Sequence, residues 1–265
     1  MFDQTLKIIF NEKITSDTFL LGLRSPEIAA ESMPGQFAMI RIDNTIDPLL
    51  RRPFSICGIR DKETILILYR VLGKGTSILS QKQEGELMSV MGPLGNGFKL
   101  PDKDDKAILI AGGMGVAPLF FLAWKLKSSS IEFMTGFKTS DEIIRPDRLN
   151  DLSINFSITT DDGSSDYKGF VTDLLEEYIA CHRESSDSLR VYSCGPTSML
   201  KKTAAITAKN NIPCQVSLET HMACGLGACQ GCAVKISGSE SLSPYRHVCQ
   251  DGPVFSSCDI DWNSL

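Results

Sequence analysis

The chain has 265 residues, of which 42% are hydrophobic and 22% are charged, which is ordinary for a soluble protein of two or three domains. Its formal net charge is −5 and its lysines and arginines form no block, which argues against nucleic acid or an anionic membrane as the main partner. Because no apolar run reaches membrane-spanning length and no signal-peptide pattern is present, we expect a cytoplasmic protein whose nine cysteines are reduced or bind metal.

Residues 1–100 predict a small antiparallel β-barrel. The expected strands are residues 5–11, 18–24, 36–42, 52–59, 64–71 and 86–90. Each is rich in β-forming residues and alternates roughly between apolar and polar positions. Six closely spaced strands without intervening helices are typical of such a barrel.

Two stretches of this region place arginine, hydroxyl and glycine residues together. An Arg, a Pro that fixes the chain and a hydroxyl residue can hold a pyrophosphate and the polar edge of a flat ring. A Gly-x-Gly turn can begin a helix, here expected over residues 77–81, whose N–H groups face phosphate oxygens. The candidate cofactor-binding residues are Arg52, Pro53, Phe54, Ser55, Tyr69, Arg70, Val71, Gly75 and Thr76. Either motif alone is also compatible with an ordinary strand edge or turn.

Residues 101–215 predict an α/β nucleotide-binding domain that begins after a polar linker at 101–105. Strand 106–110, a glycine turn and the apolar helix 119–126 provide the context of a dinucleotide site, with Gly113, Gly115 and Pro118 in the pattern G-x-G-x-x-P. Strands 131–137, 155–160 and 190–193 then alternate with helices 171–178 and 197–210. This alternation predicts a parallel sheet covered on both faces. The alternative for the turn is glycine required only for packing.

Two further turns of this domain carry candidate residues. Cys194, Gly195 and Pro196 lie between a strand and a helix, where a simple turn with a buried cysteine is the alternative. Asp161 and Asp162 end another strand. Carboxylates at that point would repel a 2′-phosphate and accept hydrogen bonds from ribose hydroxyls, which predicts NADH over NADPH. The alternative is an exposed turn.

Residues 216–265 predict a small iron–sulfur module. Cys224, Cys229 and Cys232, followed by the distant Cys249, have the plant-type [2Fe–2S] spacing C-x4-C-x2-C…C. Zinc sites more often show two separated C-x2-C pairs, and unrelated buried thiols are the remaining alternative. Cys258 competes as fourth ligand, but Cys249 precedes an Asp-Gly-Pro turn that can hold a loop near the cluster. A module of this size would not be stable without its metal.

Glycines lie between and beside these cysteines. Gly225, Gly227 and Gly231 are expected to adopt positive φ and to let the backbone approach the bridging sulfides closely.

The barrel motifs together resemble the flavin domain of the ferredoxin–NADP reductase superfamily, where R-x-[YF]-[ST] binds FAD and G-x-[GS]-[ST] binds its diphosphate. The resemblance implies that Arg52 and Thr76 contact the diphosphate and that Ser55 hydrogen-bonds near the flavin N5 atom. It also implies that residues 69–71 complete the FAD site and that residues 92–98 close the barrel. The G-x-G-x-x-P turn matches the same superfamily, in which the segment at 194–196 lies near the nicotinamide.

The order of FAD domain, NAD domain and cluster loop is similar to the family of class 1B dihydroorotate dehydrogenase electron-transfer subunits. The resemblance rests on E-T-H-M-A-C-G-L-G-A-C-Q-G-C at 219–232 and V-C-Q-D-G-P-V-F at 248–255. It implies electron transfer between a separate FMN-containing dihydroorotate dehydrogenase subunit and NAD⁺ through the [2Fe–2S] cluster and FAD, in pyrimidine biosynthesis and in a heterotetramer. A flavin can exchange both hydride and single electrons, so no catalytic acid or base is expected.

Two alternatives remain at this point. One is a small reductase subunit of the same layout that serves ferredoxin, hydrogenase or sulfide chemistry. In the transhydrogenase type an Asp commonly replaces one cluster cysteine, whereas all four are present here. The other is a redox sensor in which the nucleotide site only binds.

Overall fold

The computed structural model describes residues 1–43, 45–102, 105–126, 131–145, 155–182, 188–238 and 243–265. The predicted linker therefore lies partly outside the described residues, at 103 and 104. The first unit is a closed barrel with strand order β1-β2-β5-β4-β3-β6. Its strands are β1 Phe2–Lys13, β2 Thr18–Arg24, β3 Phe37–Arg41, β4 Arg52–Arg60, β5 Thr64–Arg70 and β6 Leu87–Leu94. The predicted antiparallel barrel is confirmed.

Two short helices complete the barrel. Helix α1, Pro26–Glu31, was not predicted, although Ser25 caps it by accepting a hydrogen bond from the Ile28 N–H at 3.2 Å. Helix α2, Lys74–Leu79, begins three residues earlier than expected.

Strands β2 and β5 are apolar on both faces because both faces are covered. Leu21 and Ile67 fill the barrel interior. Leu20 and Leu66 point the other way and belong to a cluster that includes the helix Val116–Leu126. This second face fixes the barrel against the nucleotide-binding unit.

The second unit is a seven-stranded sheet with order β10-β9-β8-β7-β11-β12-β15. Its elements are β7 Asp105–Gly112, α3 Val116–Leu126, β8 Ile131–Phe137, β9 Asn155–Thr160, β10 Tyr167–Lys168, α4 Val171–Cys181, β11 Ser188–Cys194, α5 Thr197–Lys209, β12 Cys214–Ser217 and, later in the chain, β15 Val254–Ser256. Neighbouring strands are parallel except at the β12–β15 pair. Helix α3 packs in the hydrophobic cluster shared with the barrel. Helices α4 and α5 pack in a second hydrophobic cluster. The predicted parallel sheet, covered on both faces, is confirmed.

The chain between β12 and β15 forms the cysteine loop and a two-stranded sheet of β13 Ala233–Lys235 and β14 Tyr245–His247. Strand β15 then returns to the edge of the larger sheet. The boundaries at 100/101 and 215/216 stay a prediction. No helix in the described parts of the chain is long and apolar enough to cross a bilayer.

The Asp105 carboxylate joins β7 to β11 at the amino edge of the sheet. Arg190 Nε donates to it at 2.8 Å and the Asp102 N–H donates at 3.0 Å. The hydrogen bond from the Ser188 side chain, followed by those from Asp102 and Arg190, lowers the pKa of Asp105. Because the folded-state pKa lies below that of the unfolded chain, this stabilisation is present at neutral pH and is lost as pH falls.

We expect Asp105→Asn to lower the free energy of unfolding at pH 7 by about 1.5–3 kcal/mol, as is usual for hydrogen bonds to a charged group. The difference from wild type should shrink below about pH 4, where unfolded aspartate is protonated. Urea denaturation from pH 7 to below about pH 4 measures the difference in free energy of unfolding. The control is Asp102→Asn, because the Asp102 side chain is 89% exposed. A difference that does not change with pH would contradict the role of the charge.

Candidate cofactor cleft and cysteine loop

A cleft of about 310 Å³ opens between the barrel, the turn after β7 and the segment after β12. Seven of the predicted barrel residues line it, namely Arg52, Pro53, Phe54, Ser55, Tyr69, Arg70 and Thr76. The register of the barrel brings them together, since β4 and β5 are antiparallel neighbours. Val71 lies outside this lining and packs against the barrel core.

On the barrel side of the cleft, the partly exposed Phe54 ring packs on the buried, uncharged Tyr69 ring. The Phe54 and Tyr69 rings meet edge to face with centroids 5.9 Å apart. The Tyr69 hydroxyl donates to Asn11 Oδ1 at 3.0 Å. Burial raises the pKa of Tyr69, against a lowering effect of Asn11, so the phenol stays neutral. Such a surface suits a flat conjugated ring.

Two arginines supply positive charge beside that surface. Arg52 Nη1 donates to the Leu50 carbonyl at 2.7 Å, which leaves the rest of its guanidinium for a ligand. Arg70 Nε and Nη2 are buried without a hydrogen-bond partner among the described residues. Their ion pairs with Asp17 and Glu142 are long, at 3.4 and 3.5 Å. Guanidinium donors that make no hydrogen bond of normal length, beside an aromatic surface, fit the diphosphate of a dinucleotide cofactor.

Thr76 and Gly75 shape the turn into α2. Thr76 Oγ1 accepts hydrogen bonds from the N–H groups of Leu72, at 2.9 Å, and Gly73, at 3.2 Å. The hydroxyl thereby caps the helix three residues earlier than the sequence indicated. Gly75 lies beneath Arg52, where an added Cβ would be 3.6 Å from Nε.

The predicted nucleotide-binding residues lie in two adjacent turns at the carboxyl edge of the sheet. Gly113 and Gly115 follow β7, and Pro118 lies in the first turn of α3. Cys194 ends β11, and Gly195 and Pro196 follow it. A Cβ on Gly115 would lie 2.1 Å from the Cys194 carbonyl oxygen, so only glycine permits this approach. Met114 and Ala117 from the first turn line the cleft.

The segment after β12 forms the third side of the cleft and was missed as part of this site by sequence reasoning. It contributes Ser217, Leu218, Glu219, Thr220 and Met222. The E-T-H-M-A-C run that leads into the first cluster cysteine is the signal that could have identified it.

Two side chains in this part of the molecule, Glu219 and Cys194, have raised pKa values. Desolvation raises the pKa of Glu219. Burial raises the pKa of the Cys194 thiol well above its usual value, and the nearby Glu219 charge adds to this. Cys194 is therefore a neutral thiol at physiological pH and not a nucleophile.

The four predicted cluster cysteines meet as two pairs. The Cys229 N–H donates to Cys224 Sγ at 3.4 Å, and the Cys249 N–H donates to Cys232 Sγ at 3.5 Å. Gly227 connects the pairs by donating its N–H to Cys249 Sγ at 3.0 Å. Within the described ranges, no three His, Cys, Asp or Glu side chains converge where a single metal ion could be held. Two thiol pairs fit a two-iron cluster better than one zinc ion.

The pKa values of Cys224 and Cys249 are shifted in opposite directions. Burial raises the pKa of Cys224, but N–H donors of Leu226 and Cys229 outweigh it and bring the value to about 6. Burial, with a smaller contribution from the Cys232 side chain, raises the pKa of Cys249 to about 12. Cys258 contacts Ser256 Oγ at 3.1 Å instead.

Two of the three loop glycines that were predicted to have positive φ do have it. Gly225 and Gly227 have φ of +74° and +76°. The prediction was wrong for Gly231, because the left-handed residue at that point is Gln230, with φ of +58°. Gly231 has an added-Cβ contact with Cys229 Sγ at 3.7 Å, which is ordinary packing.

Two family models match the chain. The iron–sulfur cluster binding domain of dihydroorotate dehydrogenase B matches residues 219–261, and the oxidoreductase NAD-binding domain matches residues 109–205. Among solved structures, a chain of the NADH-dependent reduced ferredoxin–NADP oxidoreductase is 30% identical, with a TM-score of 0.82 over 98% of this chain and 91% of that one. Phthalate dioxygenase reductase, at 18% identity and a TM-score of 0.63 over 98% and 95% of the two chains, shares the fold.

Curated relatives cover nearly the whole chain under one name, dihydroorotate dehydrogenase B (NAD(+)), electron transfer subunit. The protein of Desulforamulus reducens is 39% identical over 97% of both chains. That of Caldanaerobacter subterraneus is 38% identical over 94% of both, and that of Bacillus mycoides is 35% identical over 96% of this chain and 97% of its own. The resemblance that the motifs indicated is confirmed, and the chain belongs to the family of NAD⁺-linked dihydroorotate dehydrogenase B electron-transfer subunits.

Proposed function

We propose that this chain transfers electrons between NAD⁺ and a separate catalytic subunit that oxidises dihydroorotate. The named relatives are subunits of such an enzyme, which implies a catalytic partner. The finer features belong to the proposal: an FMN-containing partner, a heterotetramer and a cytoplasmic location. In this role the chain serves pyrimidine biosynthesis.

One observation carries the proposal. The segment that lines the cleft through Met222 reaches the first cysteine of the loop, Cys224, only two residues later. Met114 and Ala117, from the predicted NAD turn, line the same cleft. The adjacency of the cleft, the predicted NAD turn and the cysteine loop supports a two-electron to one-electron converter, which needs flavin, nicotinamide and cluster close together.

The cleft residues fit FAD. When bound, FAD supplies exchange of hydride with the nicotinamide and of single electrons with the cluster. Arg52 and Arg70 would neutralise its diphosphate, and Phe54, supported by the buried Tyr69 ring, would cover the flavin ring and exclude water. The Ser55 hydroxyl would hydrogen-bond to the polar edge of the ring.

The two turns at the carboxyl edge of the sheet fit the nicotinamide nucleotide. The contact between Gly115 and the Cys194 carbonyl holds the two turns together beside the cleft. Asp161 and Asp162 are exposed where β9 ends. Hydrogen bonds from the Ser164 side chain and N–H lower the pKa of Asp162, so its carboxylate is charged at neutral pH. We assign these carboxylates to the ribose and to exclusion of a 2′-phosphate.

The alternative of a reductase subunit for ferredoxin is favoured by one observation, the 30% identity and 0.82 TM-score with a chain of the ferredoxin–NADP oxidoreductase. The presence of all four cysteines and the higher identity to the dihydroorotate dehydrogenase relatives favour the first proposal.

Anaerobic purification of the tagged chain from its own cells tests the function. We expect an FMN-containing subunit to co-purify and the complex to reduce NAD⁺ with dihydroorotate. A large iron–sulfur flavoprotein in its place would support the ferredoxin alternative. A flavin that NADH does not bleach would leave only a sensor.

Replacement of single cysteines tests the ligand set. We expect Cys249→Ser to lose most of its iron and acid-labile sulfide, because Cys249 pairs with Cys232. Cys258→Ser is the matched control and should keep both at the wild-type content. The reverse result would make Cys258 the fourth ligand.

Removal of two charges tests nucleotide choice. We expect the double variant Asp161→Asn/Asp162→Asn to lower the ratio of kcat/KM for NADH to kcat/KM for NADPH about tenfold. The repulsion of the 2′-phosphate is lost, whereas the shape of the side chains is kept. Steady-state kcat/KM for both nucleotides measures it, with Glu176→Gln on α4 as the charge control. Equal use of the two nucleotides by the wild type would remove the assignment.

A further inference from the structure

The segment that follows Cys249 is bound by a single residue at the end of the barrel. Asn96 lies two residues after β6, and its Nδ2 donates to the carbonyls of Gln250, at 3.1 Å, and Asp251, at 2.9 Å. Its backbone N–H donates to the Gly252 carbonyl at 2.5 Å. Three consecutive carbonyls beside a predicted cluster ligand are thus satisfied by one asparagine.

The residue before it allows this close approach. Gly95 has φ of +72°, and an added Cβ would lie 2.6 Å from the Gly252 carbonyl oxygen and 2.6 Å from Pro253 Cδ. The two chain segments are in backbone contact, so a displacement of one is transmitted to the other.

The same point is joined to the flavin motif of the barrel. Gln36 Nε2 donates to the Gly95 carbonyl at 2.8 Å. The Gln36 carbonyl accepts from the Ile56 N–H at 3.0 Å, and Ile56 directly follows Ser55 of the cleft.

The other end of the segment reaches the cleft. The Pro253 carbonyl accepts from the Leu218 N–H at 2.9 Å, and both residues line the cleft. The stretch from Cys249 to Pro253 therefore spans the distance from the cysteine pairs to the cleft lining, with Asn96 bound to its middle.

We propose that Asn96 is a positioning residue that sets the place of Cys249, and with it the cluster, relative to the flavin site. The proposal rests on the proposed function, because it presumes both groups. Asn96 touches neither group and acts through the backbone of residues 250–252. The rate of electron transfer falls steeply with the distance between the two carriers. Looser attachment of this segment therefore slows electron transfer from flavin to cluster and leaves hydride transfer from NADH unchanged.

The test compares the same chemical change at two sites in the full-length, anaerobically purified chain. Asn96→Asp keeps the size of the side chain and removes its donors. Asn210→Asp is the matched control, because Asn210 Nδ2 donates to the Ile206 carbonyl at 2.8 Å at the end of α5. Stopped-flow absorbance follows flavin reduction by NADH and then cluster reduction, electron paramagnetic resonance records the reduced cluster, and iron, sulfide and flavin are assayed.

We expect Asn96→Asp to reduce its flavin at the wild-type rate and its cluster about tenfold more slowly, in line with the losses that follow removal of outer partners of a metal site. Selective loss of iron and sulfide with full flavin would also support the proposal. Wild-type behaviour in Asn96→Asp, or loss of flavin and cluster together to the same degree as in Asn210→Asp, would overturn it. A wild-type chain with neither flavin nor cluster would refute the proposed function before the variants are compared.

Discussion

The structure depends on one constraint, which is that a single stretch of chain serves both the cleft and the cysteine loop. Five residues of this stretch line the cleft, namely Ser217, Leu218, Glu219, Thr220 and Met222, and Cys224 follows two residues after the last of them. Strand β12 anchors the start of this stretch by parallel pairing with β11, which also ends at the cleft. The cleft lining and the cysteine loop are therefore continuous in the chain and start from the same edge of the sheet. This connection keeps the proposed electron carriers close together.

The electrostatics of the cleft agree with a redox role and not with acid–base catalysis. Burial keeps Tyr69 and Cys194 protonated, and desolvation makes Glu219 less acidic than an ordinary glutamate. Arg52 and Arg70 bring positive charge to the lining, although Arg70 also pairs with Asp17 and Glu142. Arginine beside an uncharged aromatic ring favours an anionic, flat cofactor, and the protein's contribution is to bind and orient it.

Local patterns made most of the fold predictable. The ends of β2 and β8 were predicted to the residue, because each apolar run is bounded by polar or glycine-rich turns. Helix α1 was missed because six residues are too few to show a helical period. Strands β12 and β15 were missed for another reason: each is short, and their pairing joins parts of the chain that lie far apart in sequence. The sequence of neither strand alone indicates that it pairs with the other.

The site was predictable where its chemistry lies in short motifs and unpredictable where the fold brings distant segments together. The cysteine spacing predicted four ligands, but not that their thiols lie as two pairs or that Asn96 binds the chain beyond Cys249. Pro253 enters the cleft only because β15 pairs with the sheet after the loop has closed. The energy of cluster binding is then coupled to docking of the chain on the barrel and the sheet, as expected for a metal module too small to fold alone. Assembly of the cluster and completion of the flavin cleft are on this account one folding event.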